Sequence, residues 1–319
     1  MSAPTLSLGP VILGIEGCEL TPADRERLAH PLVGGVILFA RNFADCAALA
    51  ALTARIRELR RPQLLVCVDH EGGRVQRFRD GFTKIPPMRT LGALWDGDVA
   101  AAAAEARRLG ETIARELRAH GVDFSFTPVL DLDFGASTVI GDRAFHGNPN
   151  AAAHLATCLH DGLRAGGCAA VGKHFPGHGF VAADSHLEVP VDERPLADLV
   201  ANDLIPFAAM ARRGLEGVMP AHVIYPAVDA LPAGYSRVWL QDILRGRLAF
   251  DGLIFSDDLG MAGAFTAGDI VARADAALAA GCDMVLTCND FPAAGDLLAR
   301  WRPEPQPDLE RRAARMQGR

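Results

Sequence analysis

The chain has 319 residues and a formal net charge of −7, so it can bury a large hydrophobic core, and its acidity argues against nucleic acid as a main partner. It contains no stretch of about 18 uncharged apolar residues, and residues 1–17 have no basic segment ahead of their apolar run, which argues against a membrane span and against export. The seven cysteines show no CxxC spacing, so we expect reduced thiols in the core and a cytoplasmic protein.

Short β-branched apolar runs that end in polar residues recur along the chain, and amphipathic, alanine-rich helical patterns follow them. The predicted strands cover residues 11–17, 33–39, 64–71, 126–133, 169–176, 217–223, 253–259 and 284–290. The predicted helices include residues 44–59, 99–120, 150–165, 196–213, 238–248 and 270–280. Glycines at the ends of several helices predict left-handed stops at Gly121, Gly166, Gly214 and Gly281.

Eight strand and helix units predict an α/β fold, a single closed (β/α)8 TIM-type barrel, rather than a doubly wound sheet. We expect one catalytic domain over residues 1–319. In such a barrel the chemistry lies at the carboxyl ends of the strands. The side chains at those ends are Glu16, Arg41, Asp69, Asp131, Lys173, His174, His222, Asp257, Asp258 and Asp290.

The third and fourth predicted strands lead into loops with candidate ligand-binding side chains. In DHEGGRVQRF, Asp69 can accept hydrogen bonds while Arg74 and Arg77 can donate them, which suits the vicinal hydroxyls of a sugar. A solvated turn with a structural Asp–Arg pair explains these residues equally well. Arg143, in STVIGDRAFHGNP, is a candidate because a barrel directs this loop to the same end.

The fifth predicted strand runs into the charged, glycine-containing segment VGKHFPGHGFVAADSH. Lys173 and His174 stand at the strand end, where a partly buried charge is costly unless it is paired. His186 follows Asp184 by two residues, and a carboxylate that orients an imidazole makes a general acid and base. A zinc site that also uses His178, and a purely structural histidine cluster, remain alternatives. The Gly and Ala content of the loop predicts that it moves.

The seventh predicted strand ends in two adjacent carboxylates, in GLIFSDDLGM. Side chains alternate along a strand, so only one of them should face the barrel axis. We expect Asp257 to act as a nucleophile or to balance developing positive charge, and Asp258 to cap the turn or support packing.

Several segments together resemble family 3 glycoside hydrolases, in particular the bacterial cytosolic β-N-acetylglucosaminidases of peptidoglycan recycling. They are DHEGGRVQRF, FTPVLDLD, IGDRAF, GKHFPGHG followed by DSH, MPAHVIYP and GLIFSDDLGM. The resemblance implies a retaining double displacement that removes terminal β-linked N-acetylglucosamine, from muropeptides or smaller substrates, without a cofactor or a metal.

The resemblance also implies roles for individual residues. Asp257 takes the position of the nucleophile, His186 that of the proton donor and acceptor, and Asp184 that of the residue that orients His186. The sugar-binding positions are Asp69, Arg77, Arg143, Lys173, His174, Met219 and His222.

Other functions fit the same residues. A β-glucosidase would differ only around the second carbon of the sugar, and a phosphorylase would use the same covalent intermediate, because a neutral imidazole repels phosphate less than a carboxylate does. A metal-dependent hydrolase and a non-catalytic sugar sensor are further alternatives. The sequence does not indicate the aglycone or the oligomeric state.

Overall fold

The computed structural model describes residues 6–182 and 189–317, and it contains a closed barrel of eight strands with parallel neighbours. The strands are β1 (Val11–Gly14), β2 (Val33–Leu38), β3 (Leu65–Val68), β4 (Phe124–Ser125), β5 (Ala169–Phe175), β6 (Gly217–Pro220), β7 (Leu253–Asp258) and β8 (Met284–Thr287). β1 pairs with β2 on one side and with β8 on the other, which closes the sheet. The predicted barrel is therefore confirmed.

Helices surround the barrel and connect its strands. They are α1 (Pro22–Leu28), α2 (Cys46–Glu58), α3 (Arg89–Gly97), α4 (Val99–Ala119), α5 (Pro149–Ala165), α6 (Leu196–Ala201), α7 (Leu204–Arg212), a π-helix (Val238–Arg247), α8 (Ile270–Ala280), α9 (Phe291–Arg300) and α10 (Leu309–Ala313). Asp45, Asp98, Asn148, Asp269 and Asp290 begin five of them, each accepting a hydrogen bond from a backbone N–H in the first turn.

Shorter elements decorate the ends of several strands. Single 3-10 turns cover Ala40–Asn42, Gly141–Arg143 and Ala233–Tyr235, and a longer one covers Ala262–Ala267. One two-stranded hairpin pairs His70–Gly72 with Val75–Gln76 after β3, and another pairs Ile224–Tyr225 with Asp229–Pro232 after β6.

The strands are apolar on both faces, which is why they read as continuous hydrophobic runs. In β3, Leu65 and Cys67 point into the barrel interior, while Val66 and Val68 pack against the helices. Three phenylalanines fill the middle of the interior with their rings 5.3–5.6 Å apart: Phe124, Phe126 and Phe255. The barrel is thus a packed core and not a pore.

The base of the barrel is closed by α10 and the residues around it. Leu309, Ala313 and Met316 belong to the same buried cluster as the interior strand residues. Arg312, between them, lies 2.6 Å from Asp283 at the amino end of β8. The helix is therefore held both by apolar burial and by an ion pair.

Two glycines allow α4 and α5 to pack with their backbones close together. A Cβ on Gly110 would lie 2.1 Å from the carbonyl oxygen of Leu159, and one on Gly162 would lie 2.0 Å from that of Arg107. Both distances are far below van der Waals contact, so any larger residue would force the helices apart.

Three local predictions were wrong. The regular fourth strand is Phe124–Ser125, not residues 126–133. The chain stays bonded to β5 beyond it, since Thr127 and Pro128 accept hydrogen bonds from the N–H groups of Val171 and Lys173, but Pro128 has no N–H to donate and the regular ladder does not continue. The helix predicted over 196–213 is split into α6 and α7. Gly166 has a right-handed φ of −83°, and the following Gly167 takes the left-handed stop at +88°. The single-domain organisation over residues 1–319 stays a prediction.

All seven cysteines are free, but the prediction that they lie in the core holds for only some of them. Four of them are buried, namely Cys67, Cys168, Cys282 and Cys288. In the part of the chain that the structure describes, no helix combines the length and the apolar character needed to cross a membrane.

Candidate active site

A cavity of about 650 Å³ lies at the carboxyl ends of the barrel strands. Strand alternation explains which side chains reach it, because Cys67, Val171 and Phe255 point into the interior, and residues two positions further on share that face. The residues so placed, all of which line the cavity, are Asp69, Lys173 and Asp257.

Lys173 forms the centre of a charge network on one wall of this cavity. Its Nζ is 2.6 Å from Oδ1 of Asp69 and 2.7 Å from Oε1 of Glu71. The guanidinium of Arg143 donates two hydrogen bonds of 2.8 Å to the two oxygens of Glu71. Arg77 Nη2 lies 3.6 Å from Asp69. The network therefore links the ends of β3 and β5 with the 3-10 turn before α5.

The network keeps its members charged although they are buried. Burial by itself would raise the pKa of Glu71, but Arg143 and Lys173 hold that pKa well below its usual range. Burial would likewise lower the pKa of Lys173, and Asp69 and Glu71 raise it instead. The side chains of Glu71 and Lys173 are each only 3% exposed, so each depends on its partners for the interactions that water would otherwise supply.

Asp131 holds two histidines, His174 near the end of β5 and His178 just after it. Its Oδ1 accepts hydrogen bonds from the backbone N–H groups of His174 (3.2 Å) and His178 (2.7 Å), and its Oδ2 lies 2.7 Å from Nδ1 of His174. Because the carboxylate can only accept, it fixes the proton of His174 on Nδ1. Burial would raise the pKa of Asp131, but His174 and His178 lower it. The imidazole of His174 is thereby held in one orientation at the cavity wall.

Asp257 is an ionised carboxylate at the end of β7. Burial would raise its pKa, but His174, His222 and Lys173 lower it, as does the N–H of Asp258, which donates a 2.8 Å hydrogen bond to Oδ1. A carboxylate that is only partly exposed and yet ionised can attack an electrophilic carbon that enters the cavity.

The neighbouring Asp258 has a different environment. Its Oδ1 accepts hydrogen bonds from the backbone N–H groups of Gly260 at 2.9 Å and Cys288 at 3.2 Å. Burial raises the pKa of this carboxyl. Asp258 thus ties the turn after β7 to the end of β8, which agrees with the supporting role that we expected for it.

The two predicted binding residues on and after β6 differ in position. Met219 lines the cavity. His222 is only 1% exposed, its Nε2 lies 3.2 Å from the backbone carbonyl oxygen of Asp258, and it is not among the lining residues. The expectation that His222 contacts a sugar stays a prediction; in the structure its imidazole lies against the end of β7, where it lowers the pKa of Asp257.

The other predicted site residues that the structure describes come together. Asp69, Arg77, Arg143, Lys173, His174, Met219 and Asp257 all line the one cavity. The predicted acid and base, His186, and its partner Asp184 lie outside the described residues, so their roles stay predictions.

Sequence reasoning missed two residues that organise the site, Glu71 as a network member and Asp131 as the partner of His174. A signal for Glu71 was present, because it lies two residues after Asp69 and shares its face in an extended chain. Asp131 was noted only as a strand-end residue, and nothing local in the sequence pairs it with His174.

A metal site receives no support from the described part of the chain, which contains no cluster of three or more His, Cys, Asp or Glu side chains arranged to hold an ion. The zinc alternative would also use Asp184 and His186, which lie outside that part.

Comparisons with known proteins agree with this geometry. Residues 12–316 match the model of the glycosyl hydrolase family 3 N terminal domain. A β-hexosaminidase of Nitrosospira multiformis is 61% identical over 318 residues, covering 95% of this chain and 91% of that protein. The crystal structure of NagZ from Neisseria gonorrhoeae in complex with N-trifluoroacetyl-D-glucosamine has a TM-score of 0.95 and 50% identity, covering 99% of this chain and 92% of that one. The β-N-acetylhexosaminidase of Beutenbergia cavernae has a TM-score of 0.82 and 30% identity, covering 92% and 90% of the two chains.

Proposed function

Because the chain belongs to glycoside hydrolase family 3, we propose that it removes terminal β-linked N-acetylglucosamine with retention of configuration. The observation that carries this proposal is the ionised Asp257 at the cavity end of β7, facing the charge network of Lys173, Asp69, Glu71 and Arg143. The β-hexosaminidase relatives and the neighbour that binds an N-acylated glucosamine support the choice of sugar.

In the first step a carboxylate oxygen of Asp257 bonds to the anomeric carbon while the bond from that carbon to the glycosidic oxygen breaks. His186 gives its proton to the departing oxygen. In the second step water attacks the same carbon, its proton passes to the neutral His186, and the ester bond to Asp257 breaks. Two inversions return the sugar with its original configuration.

The use of a histidine for proton transfer distinguishes this scheme from the common pair of carboxylates. An imidazole titrates near neutral pH, so it can exchange protons without strong desolvation, and Asp184 would orient it and stabilise its charged form.

The charge network would hold the sugar hydroxyls. Asp69 can accept hydrogen bonds, while Lys173, Arg143 and Arg77 can donate them, and a fixed His174 ring supplies one further contact. These groups are positioned by each other before any ligand arrives, so little reorganisation is needed when the sugar binds.

We further propose that the substrate in the cell is a 1,6-anhydro-muropeptide released in peptidoglycan recycling, and that the enzyme works in the cytoplasm as one catalytic domain. The NagZ structure among the similar proteins and the seven free thiols support these proposals.

The test is product analysis with matched substrates. Aryl β-N-acetylglucosaminide, aryl β-glucoside, chitobiose and a 1,6-anhydro-muropeptide are incubated with the enzyme, with and without phosphate, and the first-formed sugar is followed by NMR. We expect β-N-acetylglucosamine from the first, third and fourth substrates and little product from the glucoside. Preferred cleavage of the glucoside would overturn the choice of sugar, and sugar 1-phosphate would identify a phosphorylase.

A trapping experiment tests the nucleophile. A 2-deoxy-2-fluoro or 5-fluoro sugar with a good leaving group should accumulate as an ester, and mass spectrometry of the digested enzyme should find the label on Asp257. A label on any other side chain would remove Asp257 from this role.

A further inference from the structure

We propose that Asn289 binds the C6 hydroxyl group of the terminal sugar, and that Arg41 is the positioning residue that presents the amide of Asn289 to that oxygen. The proposal rests on the proposed function, since it assigns one more contact to the sugar that Asp257 attacks. Two features of the molecule carry it: an amide whose N–H groups are free, and a barrel whose handedness brings the C6 group to that amide.

The side chain of Asn289, just after β8, has a defined orientation. Its Oδ1 accepts a 2.7 Å hydrogen bond from Nη1 of Arg41. A guanidinium can only donate, so the amide atom that faces it must be the oxygen. Among the residues that the structure describes, no acceptor meets Nδ2, and Asn289 is an exposed residue of the cavity wall. Both amide N–H groups are therefore available to a ligand.

Arg41 follows β2 and reaches across the end of β1 to β8. Its Nε donates a 2.9 Å hydrogen bond to the carbonyl oxygen of Ile15, and its Nη2 donates one of 3.0 Å to that of Cys288. The guanidinium carbon also lies 4.5 Å from the ring centre of Phe39. Gly14 makes room for this course, because a Cβ there would overlap the Cys288 carbonyl and lie 3.0 Å from Nη2 of Arg41. An arginine bonded at all three nitrogens and stacked on a ring is fixed in one orientation.

Asn289 is the polar member of an otherwise apolar stretch of the cavity wall. Phe39 and Cys288 line the cavity after β2 and β8, as do Ile37 and Leu286 within those strands. Burial raises the pKa of the Cys288 thiol well above its usual range, so this thiol stays protonated, and a thiol is a weak donor. A sugar oxygen on this side of the cavity thus finds its strong donor in Asn289.

The handedness of the barrel defines this side. Asp257 ends β7 and Asp69 follows β3, and these strands are four places apart among eight, so the two carboxylates lie on opposite sides of the cavity. A strand, its outer helix and the next parallel strand form a right-handed connection, so the strands are numbered counter-clockwise when seen from their carboxyl ends. Between β7 and β3, the strands β6, β5 and β4 therefore follow clockwise, and β8, β1 and β2 follow counter-clockwise.

A β-D-pyranose has a fixed handedness as well. In the proposed reaction Asp257 attacks C1 from the face opposite the leaving oxygen, and that oxygen points to the open carboxyl end of the barrel. Seen from that end, the ring carbons are numbered clockwise. With C1 above Asp257 and the C4 hydroxyl at Asp69, C2 and C3 lie beside β6 and β5, whereas C5 and its C6 group lie beside β8, β1 and β2. The C2 acetamido group then faces the apolar Met219, and the C6 oxygen faces Asn289.

The experiment compares 4-nitrophenyl β-N-acetylglucosaminide, the parent substrate, with its 6-deoxy analogue, which lacks only the C6 oxygen. The measured quantity is the ratio of kcat/KM for the parent to kcat/KM for the analogue, called the C6 ratio. In Asn289→Ala, kcat/KM for the parent should fall about 3- to 10-fold, the effect of one uncharged hydrogen bond. The C6 ratio should fall by the same factor, because the analogue has no oxygen with which to make the contact.

Three further variants complete the design. Arg41→Lys keeps the charge but cannot donate at three points, so it should lower the C6 ratio in the same direction by a smaller factor. Met219→Ala should leave the C6 ratio unchanged and instead reduce the preference for 4-nitrophenyl β-N-acetylglucosaminide over the β-glucoside. Asn150→Ala is the matched control, because Asn150 is an exposed asparagine of α5 that does not line the cavity, and it should behave as wild type.

Thermal unfolding shows whether each variant is folded, and the substrate ratios then decide. A C6 ratio in Asn289→Ala equal to that of the wild type would overturn the contact, even if overall activity had fallen. A change in the C2 preference of Asn289→Ala together with a changed C6 ratio in Met219→Ala would overturn the orientation of the sugar. A wild-type C6 ratio in Arg41→Lys would remove the positioning role of Arg41. If the wild type releases no N-acetylglucosamine from the parent substrate, the proposed function itself fails.

Discussion

Replacement of Glu71 by Gln tests the charge network most directly. Glu71 accepts two hydrogen bonds from Arg143 and lies 2.7 Å from the ammonium of Lys173, so the variant leaves two buried cations with one carboxylate, Asp69. Removing one partner of a buried ion pair costs about 3–5 kcal/mol. Because Asp69 still contacts Lys173, we expect the free energy of unfolding to fall by about 3 kcal/mol, the lower end of that range.

Activity should fall as well, through Arg143. In Glu71→Gln this guanidinium keeps its 3.1 Å hydrogen bond to the carbonyl oxygen of Val139 and can donate one more to the new amide oxygen, but it loses the charged two-point contact that fixes it at the cavity. We expect kcat/KM to fall about 10- to 100-fold, equivalent to about 1.4–2.7 kcal/mol. The assays are urea unfolding and hydrolysis of an aryl N-acetylglucosaminide.

The effect should depend on pH with a defined sign. The pKa of Glu71 in the folded protein is held below its unfolded value of 4.5, so its stabilising contribution is complete above pH 4.5 and diminishes as the pH falls below it. The difference in stability between wild type and Glu71→Gln should therefore shrink in acid.

Glu105→Gln is the matched control, because Glu105 accepts two hydrogen bonds of 2.6 and 2.7 Å from Arg108 at the surface. An exposed pair contributes about 0.2–1 kcal/mol. A double-mutant cycle with Arg143→Gln should give a coupling energy of about 2 kcal/mol with Glu71→Gln. Additive effects, or a Glu71→Gln enzyme as stable as Glu105→Gln, would refute the reasoning.

Three further predictions concern neighbouring features. Asp257→Asn should lower kcat by more than about 10⁴-fold with unchanged thermal unfolding. Asp258→Asn should lower kcat by less than about 10-fold, because the variant keeps an acceptor for two backbone N–H groups. Similar losses from both variants would contradict the separate roles. Asp131→Asn should release the His174 ring and lower kcat/KM by about 10-fold or more, with thermal unfolding measured in parallel. An unchanged kcat/KM would show that the contact between Asp131 and His174 does not contribute to catalysis. Gly110→Ala should destabilise the protein by about 1–3 kcal/mol in urea unfolding, because its Cβ would meet a backbone carbonyl of α5. Gly295→Ala in α9, with open space around it, should stabilise the protein by up to about 1 kcal/mol. Equal effects would mean that the close contact between α4 and α5 does not restrict the size of residue 110.

The placement of the central site residues was predictable from periodicity. Apolar residues that alternate along β3, β5 and β7 continue, two positions on, into Asp69, Lys173 and Asp257, so the side chains that face the core also indicate which polar side chains face the cavity. The helix α8 was predicted with its observed ends, because Asp269 caps its beginning and Gly281 its end.

What local pattern could not supply was pairing between distant strands. Glu71 meets Arg143 and Asp131 meets His174 only after the barrel has closed, and no spacing in the sequence encodes those distances. The error at β4 arose because the apolar run around Pro128 resembles a strand and stays hydrogen-bonded to β5, although Pro128 cannot donate and the regular strand ends at Ser125.

The pairing of β1 with β8 has a consequence for biosynthesis. As the nascent chain leaves the ribosome, β1 finds β2 early, but its other edge has to wait for residues around Val285. Until then the edge displays unpaired amides beside an apolar face, which is the surface on which polypeptides aggregate. Folding in the cell should therefore be most sensitive to chaperone supply in the interval before β8 is translated, and far less so afterwards.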